Sequence, residues 1–591
     1  MNMRWSLDAL YTSFESKGFI GDIKKCDDII SKINEWTETN LNNIESPVSK
    51  IEKYLSMVIE LSSVIDKILS YSNLTLSVDA KNQTALKFIE KFEEKVTELT
   101  SSDVTFKMWL GSLTNIDEVI LSSKLLIEHD FYLKEIVQKN KYLLKENEET
   151  IISKLRNTGS GAWSKLQEYL TSTILVDIVV GAEGEVRRLP LSVVRNMAYE
   201  SDSALRIAAY KAELKAYNKI EESSAACLNG IKGETITICK LKGYKSPLDQ
   251  VLINSRMDEI TLNAMITAMK DSLPAFRKYF RKKAQLLGHT GNLPFYDLFA
   301  PIGEIEMNYT YEEAKKFIIK NFRSFSDKLA NFAENAFNDN WIDAEPREGK
   351  RGGAFCASIH SINQSRILTN FTGSYNDIST LAHELGHGYH NLCLNTESPL
   401  NTNTPMPLAE TASIFCETII ANAAINSSSK EQALVILEND IMGSAQVIVD
   451  ILSRFLFESE VIKKREEGSL SVKELNEIMI NSQKQTYGDG LNENFLHPSM
   501  WVCKPHYYST DNNFYNFPYA FGQLFGKGLF SEYLKRGNEF VKEYDQMLSV
   551  TGKKTIVEVA AMMKVDVHSV DFWRSSLRLI EKDIEKFISL C

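Results

Sequence analysis

Apolar positions in the first hundred residues recur at spacings of three, four and seven, as in Ile51, Leu55, Val58, Ile65 and Ile68. That is the period of a helix with one buried face. Ser46-Pro47, Tyr71-Ser72-Asn73 and Ser101-Ser102-Asp103 interrupt it, which predicts a set of antiparallel helices. No fixed self-similar period runs through them, so a repeat array is excluded. The helical pattern continues from Asp117 to Thr173, with Gly159-Ser160-Gly161 as a turn. Val176 to Leu189 then contains a short strand-like run with a turn at Gly181-Ala182-Glu183-Gly184, and Pro190 closes it. This change of pattern places a boundary near residue 200, dividing a helical region 1–200 from a region 201–591.

Beyond it, helices are expected over Glu200 to Ile220 and over Asp258 to Leu287, with a break or kink at Pro274. Tyr296 to Pro301 reads as irregular and Tyr311 to Phe332 as another helix. The most strand-like part is Ala344 to Ser374. There Gly349, Gly352 and Gly353 lead into Ala354-Phe355-Cys356-Ala357-Ser358-Ile359, and Arg366 to Thr372 follows a polar turn. The fold class is therefore mainly α, with a small β-sheet just before the stretch that carries the chemistry.

That stretch is Thr380 to His390, TLAHELGHGYH. Residues four apart on a helix share a face, so His383 and His387 can converge on one ion. Glu384 lies about 100° further round, beside the ion's open position, where a general base for a water belongs. Gly386 lets another segment approach the helix closely. With nine histidines in 591 residues, such a string arises by accident in roughly one chain in a hundred, so it needs support from its surroundings. The flanks are free of proline, and Asn376 or Asp377 can cap the helix.

A third ligand must come from elsewhere. One zinc-protease pattern requires glycine and histidine three and six residues past the second histidine; His390 and Cys393 stand there, so it is excluded. His390 also lies nearly a turn beyond the ion and is expected to pack. The remaining option is a carboxylate from the helical run after Pro405 and Pro407, which carries Glu410 and, seven residues on, Glu417. Two histidines and one glutamate would leave zinc a fourth position for water, the mark of a catalytic site.

LAHELGHGYH followed by PLAETASIFCE resembles the oligoendopeptidase F branch of the thimet-oligopeptidase-like zinc peptidases. The likeness runs from Arg4-Trp5-Ser6-Leu7-Asp8-Ala9-Leu10-Tyr11 into the last third of the chain, and the family's amino-terminal domain is recognisable over about 115–185. It implies His383, His387 and Glu410 as ligands of one zinc ion per chain, Glu384 as base, and Glu417 as a carboxylate behind the ligands. It further implies His506, Tyr515 and Tyr519 as neutral donors to the oxyanion formed in peptide hydrolysis. The thimet branch has another tyrosine where Gly522 stands, a departure in the donor set. The implied fold is two helical lobes around a deep substrate channel, which would admit oligopeptides and exclude folded proteins. Gly352, Gly353, Ala354 and Phe355 would contact substrate, since an exposed edge strand can pair with a peptide through its main chain.

Composition changes this picture little. The net charge of −11 is spread over short Glu/Lys-rich stretches, and Arg277 to Lys283 reads as a polar helix face, so no nucleic-acid partner is expected. Eight cysteines without a Cys-x-x-Cys pair suit a reducing compartment. No signal-peptide core and no run of about 20 apolar residues is present, so no membrane partner and a cytoplasmic location are expected. The oligomeric state is not set by the sequence. Two rivals remain at this point: a zinc carboxypeptidase of similar helical fold, and a catalytically silent peptide-binding protein.

Overall fold

The periodic stretches fold as helices, and in the computed structural model, which describes residues 2–181, 184–303 and 308–591, several run through their polar interruptions. Pro47–Val78 is one helix across Tyr71-Ser72-Asn73, where a break was expected. The hydroxyls of Ser72, Thr75 and Ser77 donate to carbonyls four residues back, at 2.8, 2.7 and 2.8 Å, so these side chains are satisfied inside the helix. Glu259–Leu286 likewise continues through Pro274. Leu273 and Phe276, on either side of that proline, are buried, and the helix packs along Val570–Leu590. The opposite correction applies to Tyr311–Phe332, which is two helices, Tyr311–Phe325 and Asp327–Asn338. Ser326 leaves helical geometry between them, and its hydroxyl accepts from Leu329 N.

The chain folds into two compact units, each assembled from three segments. The first comprises Met1–Lys141, Glu306–Ala423 and Glu532–Lys564, the second Tyr142–Ile305, Ala424–Ser531 and Val565–Cys591. Position 200 falls inside the second unit.

In the second unit, β1 (Leu175–Val180) pairs antiparallel with β2 (Glu185–Pro190), where a short strand-like run was expected; two of the four expected turn residues lie outside the described residues. Its helical core encloses buried ion pairs. Lys232 with Glu458, Lys283 with Glu438 and Arg206 with Asp297 meet at 2.6, 2.6 and 2.7 Å. Removing one partner from such a pair strands a buried charge at a cost of about 3–5 kcal/mol, so each pair fixes which helices face one another.

In the first unit a three-stranded sheet has the order β3 (Ile342–Asp343), β5 (Gln364–Leu368), β4 (Phe355–Ile359). β5 is central, parallel to β3 and antiparallel to β4, which leaves β4 at an edge. The Lys350 ammonium is fully buried against this sheet. It donates to the carbonyl oxygens of Asp343, Glu345 and Thr369 at 3.1, 3.0 and 2.6 Å and pairs with the Asp343 carboxylate at 2.8 Å. The chain's opening segment is tied to the same place, with Arg366 Nε donating to the Ser6 carbonyl at 2.8 Å. Packed on the strands is the helix Tyr375–Leu394, which carries both histidines.

Candidate metal centre

Ser374, rather than Asn376 or Asp377, caps the Tyr375–Leu394 helix. Its hydroxyl accepts from Asp377 N at 3.2 Å, while the Asp377 carboxylate accepts from the N–H groups of Thr372, Gly373 and Ser374 at 2.9, 2.9 and 3.0 Å. Asp377 thus stands three residues inside the helix as the other half of a capping box. A short turn, Met406–Ala409, leads through Glu410 into the helix Thr411–Ser427. Met406–Ser427 is long and apolar enough to cross a membrane by length and composition, but most of it is buried within the protein.

The two helices meet at Gly386. A methyl group placed there would lie 2.6 Å from the Ala412 carbonyl oxygen and 2.6 Å from Ser413 Cα. Only a residue without a side chain permits that approach, and the approach is what brings Glu410 to the histidines. His383 Nε2 and His387 Nε2 are 3.2 Å apart, and Glu410 Oε2 is 3.3 Å from the first and 3.5 Å from the second. A tetrahedral zinc with bonds of about 2.0–2.1 Å needs donors about 3.3–3.4 Å apart, and two imidazoles with one carboxylate are a donor set zinc accepts with a position to spare. The residues therefore fit the ion. Among the described residues, His383, His387 and Glu410 are the group of histidine, cysteine and acidic side chains placed to hold one.

Further carboxylates and hydroxyls set the charge and orientation of this group. Glu417 Oε2 lies 3.4 Å from His383 Nδ1 and, through Oε1, accepts from the Ser379 hydroxyl at 3.1 Å. A carboxylate on the far ring nitrogen fixes the tautomer that turns Nε2 toward a metal. Ser413 donates to Glu410 Oε2 at 3.2 Å. Burial by itself would lower the His383 imidazole, but Glu410 and Glu417 outweigh it and raise its pKa to about 10. Burial would likewise raise Glu410; the two imidazoles outweigh it and hold the carboxyl well below its ordinary range. The site is thus built to hold positive charge. Glu384, 6% exposed, is pushed up by burial against the pull of both histidines. Cys356 on β4 is raised by burial and then by the Glu384 carboxylate, which sets the edge strand beside the expected base.

His390 is buried away from the donors, with Nε2 2.7 Å from Thr551 Oγ1, and burial, reinforced by His387, lowers its pKa to about 4. Gly352, Gly353 and Ala354 lead directly into Phe355 at the start of β4, with Gly353 at a φ of 77°. His506, Tyr515 and Tyr519 belong to the second unit, where their rings pack on one another. The His506 and Tyr515 rings stack at 5.3 Å between centroids, and Tyr515 meets Tyr519 edge-on at 5.8 Å. Burial, with Arg454 and Lys504 nearby, lowers the His506 imidazole, which favours its neutral form.

Ser379 and Ser413 were not legible as site residues. Ser379 precedes His383 by one helical turn, a spacing that places them on one face, but it is informative only once Glu417 is known to pack there.

A family model described as Peptidase family M3 matches residues 196–579, and one described as Oligopeptidase F matches 113–174. Oligopeptidase PepF of Bacillus subtilis is 22% identical over 96% of this chain and 87% of its own length. An oligoendopeptidase F homolog of Lactococcus lactis subsp. lactis is 24% identical over 99% and 97%. Among solved structures, a putative peptidase from Chlamydophila abortus superposes with a TM-score of 0.86 at 23% identity, covering 100% of this chain and 98% of that one. Oligoendopeptidase-F from Enterococcus faecium gives 0.71 at 17% identity, with 96% and 99% covered. The structural likenesses establish the mainly helical fold, and the family match over most of the chain establishes kinship. The chain belongs to peptidase family M3 and is a metallopeptidase.

Proposed function

We propose that this protein is a zinc endopeptidase that hydrolyses internal bonds of short oligopeptides. The observation that carries the reading is the triangle of His383 Nε2, His387 Nε2 and Glu410 Oε2, with sides of 3.2–3.5 Å and a buried glutamate one residue along the same helix. Held by these three residues, zinc would supply Lewis acidity at the scissile carbonyl and make a water acidic enough, with a pKa of about 7, to attack at neutral pH.

The Glu384 carboxylate takes a proton from the attacking water and delivers it to the leaving nitrogen, so the water's oxygen bonds to carbon as the C–N bond breaks. Its burial raises its affinity for that proton toward what the transfer needs. Glu417 holds His383 in the orientation its ligand role requires. His506 and Tyr519, with Tyr515, donate hydrogen bonds to the developing oxyanion; their mutual packing and the lowered imidazole of His506 support a neutral donor set. The open edge of β4, entered from Gly352, Gly353 and Ala354, pairs with the substrate main chain. The eight cysteines are free thiols, which supports a cytoplasmic location.

A peptide acetylated at its amino end and amidated at its carboxyl end tests this directly. The zinc-loaded enzyme should cut it internally. Glu384→Gln should keep one zinc per chain and lose about 10²–10⁴-fold in kcat. Full turnover in that variant would remove Glu384 from the mechanism, and cleavage confined to unblocked ends would replace the endopeptidase reading with an exopeptidase.

A further inference from the structure

The long helix Pro47–Val78 turns one stripe of side chains toward β4. Ile65, Leu69 and Leu76 on that stripe, with Phe355 and Ala357 on the strand, line a recess of about 890 Å³ within the first unit. All five are only part-buried, whereas Leu61, Val64, Ile68 and Tyr71 on the adjoining face of the same helix are core, against which Ile65, Leu69 and Leu76 also pack. The gap is braced at both ends. Ala80 N donates to the Gly349 carbonyl and Arg351 N to the Ser77 carbonyl, each at 2.8 Å, and Ser361 N donates to the Asp66 carboxylate at 2.9 Å. Strand and helix are therefore tied at both ends of β4, and the space between the ties is mostly apolar, with Asp66 and Arg351 at its border and the Arg351 guanidinium 5.6 Å from the centre of the Phe355 ring.

Hydrogen-bond alternation fixes how that space relates to the strand edge. Ile367 N and Thr369 N donate toward β3, to the carbonyls of Trp341 and Asp343, each at 2.9 Å. In β5 it is then Arg366 and Leu368 whose backbone groups face β4, opposite Ala357 and Phe355. The N–H and C=O groups of Cys356 and Ser358 consequently point to the open edge. The side chain of Cys356 is directed to the metal helix, where Asn391 Nδ2 reaches its sulfur at 3.8 Å. Phe355 and Ala357 occupy the other face, against the recess.

We infer that the recess is a specificity site for large apolar side chains of the peptide that pairs with β4. A strand added at that edge continues the pleat, so every second residue of the bound peptide projects into the recess, and those between project toward the metal helix. Preference for leucine-sized over alanine-sized residues should therefore alternate along the substrate. The inference rests on the endopeptidase reading, and the experiment separates the two.

A single leucine is walked through an alanine-rich peptide, blocked at both ends and with one mapped cleavage site. The value of kcat/KM for each peptide is measured with the zinc-loaded full chain. Leucine at alternate positions on one side of the cut should raise kcat/KM about 10-fold or more, and the positions between should change it little. Leu69→Gln should shrink that enhancement to about 3-fold or less; Ile65→Gln, at another part-buried position, serves the same purpose should Leu69→Gln not fold. An enhancement without a two-residue period, or one unchanged in both variants, would overturn the recess as a specificity site while the peptidase reading stands. Failure to cut any of the blocked peptides would overturn the endopeptidase reading itself, and the recess assignment with it.

Discussion

Replacing Gly386 with alanine probes the contact that assembles the site. The added methyl group would meet the Ala412 carbonyl oxygen and Ser413 Cα at 2.6 Å, where ordinary contact begins at 3.4 Å. Both are backbone atoms and cannot rotate away, so the two helices must part by about 0.8 Å, several times the ~0.2 Å tolerance of a metal–ligand bond. Glu410, two residues before Ala412, moves with its helix, while His383 and His387 stay on the other. Since losing even a group that orients a ligand costs about 10–100-fold in metal affinity, displacing Glu410 should raise the zinc Kd by at least about 10–100-fold, or about 1.4–2.7 kcal/mol. Competition against a chromophoric chelator at fixed pH reads the affinity, and thermal unfolding checks that the chain is folded. Gly443→Ala is the control, because a methyl group there, also within a helix, meets nothing within 4 Å. There the affinity should stay within about 3-fold of wild type. Equal affinity in wild type and Gly386→Ala, or equal losses in both variants, would refute the claim that this helix contact positions Glu410.

Two further outcomes follow from particular side chains. Glu417→Ala removes the carboxylate facing His383 Nδ1 and should weaken zinc binding about 10–100-fold in the same competition assay; unchanged affinity would show that the imidazole needs no such support. In the second unit burial raises Asp583 to about 6, helped by Asp440 and opposed by Lys527. A carboxyl raised on folding favours the native state below its unfolded pKa, near 4, and loses that contribution as pH climbs through about 6. Asp583→Asn should therefore raise the melting temperature relative to wild type at pH 7.5 and have less effect at pH 5. The same increment at both values would contradict the burial of an ionising group.

Much of the site was legible because its chemistry is local. His383 and His387 lie one turn apart, and proline-free flanks make a helix available to both. The β1–β2 and β4–β5 pairs were legible as short strand-like runs beside turn residues, but β5 begins at Gln364 and ends at Leu368, so Gln364 and Ser365, expected in the turn, pair with Ile359 and Ser358, and Thr369 to Thr372 lie outside the strand. Ser374 was missed as a cap because a capping box shares its work between two residues, and Asp377 looks like a cap when read alone. The two-residue strand β3 has no pattern of its own and exists only because β5 pairs with it. Hidden too were the interruptions that do not interrupt: Ser72 and its neighbours bond to carbonyls within their helix, and Pro274 sits where flanking apolar residues are held by packing. The two compact units join segments hundreds of residues apart, which local periodicity cannot reveal. Gly386 was readable as a point of close approach, but only the structure supplies the Glu410 helix as the neighbour.

The central claim is that two imidazoles and one carboxylate meet around a single cation. Crystals grown with zinc, with diffraction recorded above and below the zinc absorption edge, measure this most directly. One anomalous peak per chain should appear about 2.0–2.2 Å from His383 Nε2, His387 Nε2 and a carboxylate oxygen of Glu410. A peak bound by other residues, or one that leaves Glu410 out of reach, would contradict the account.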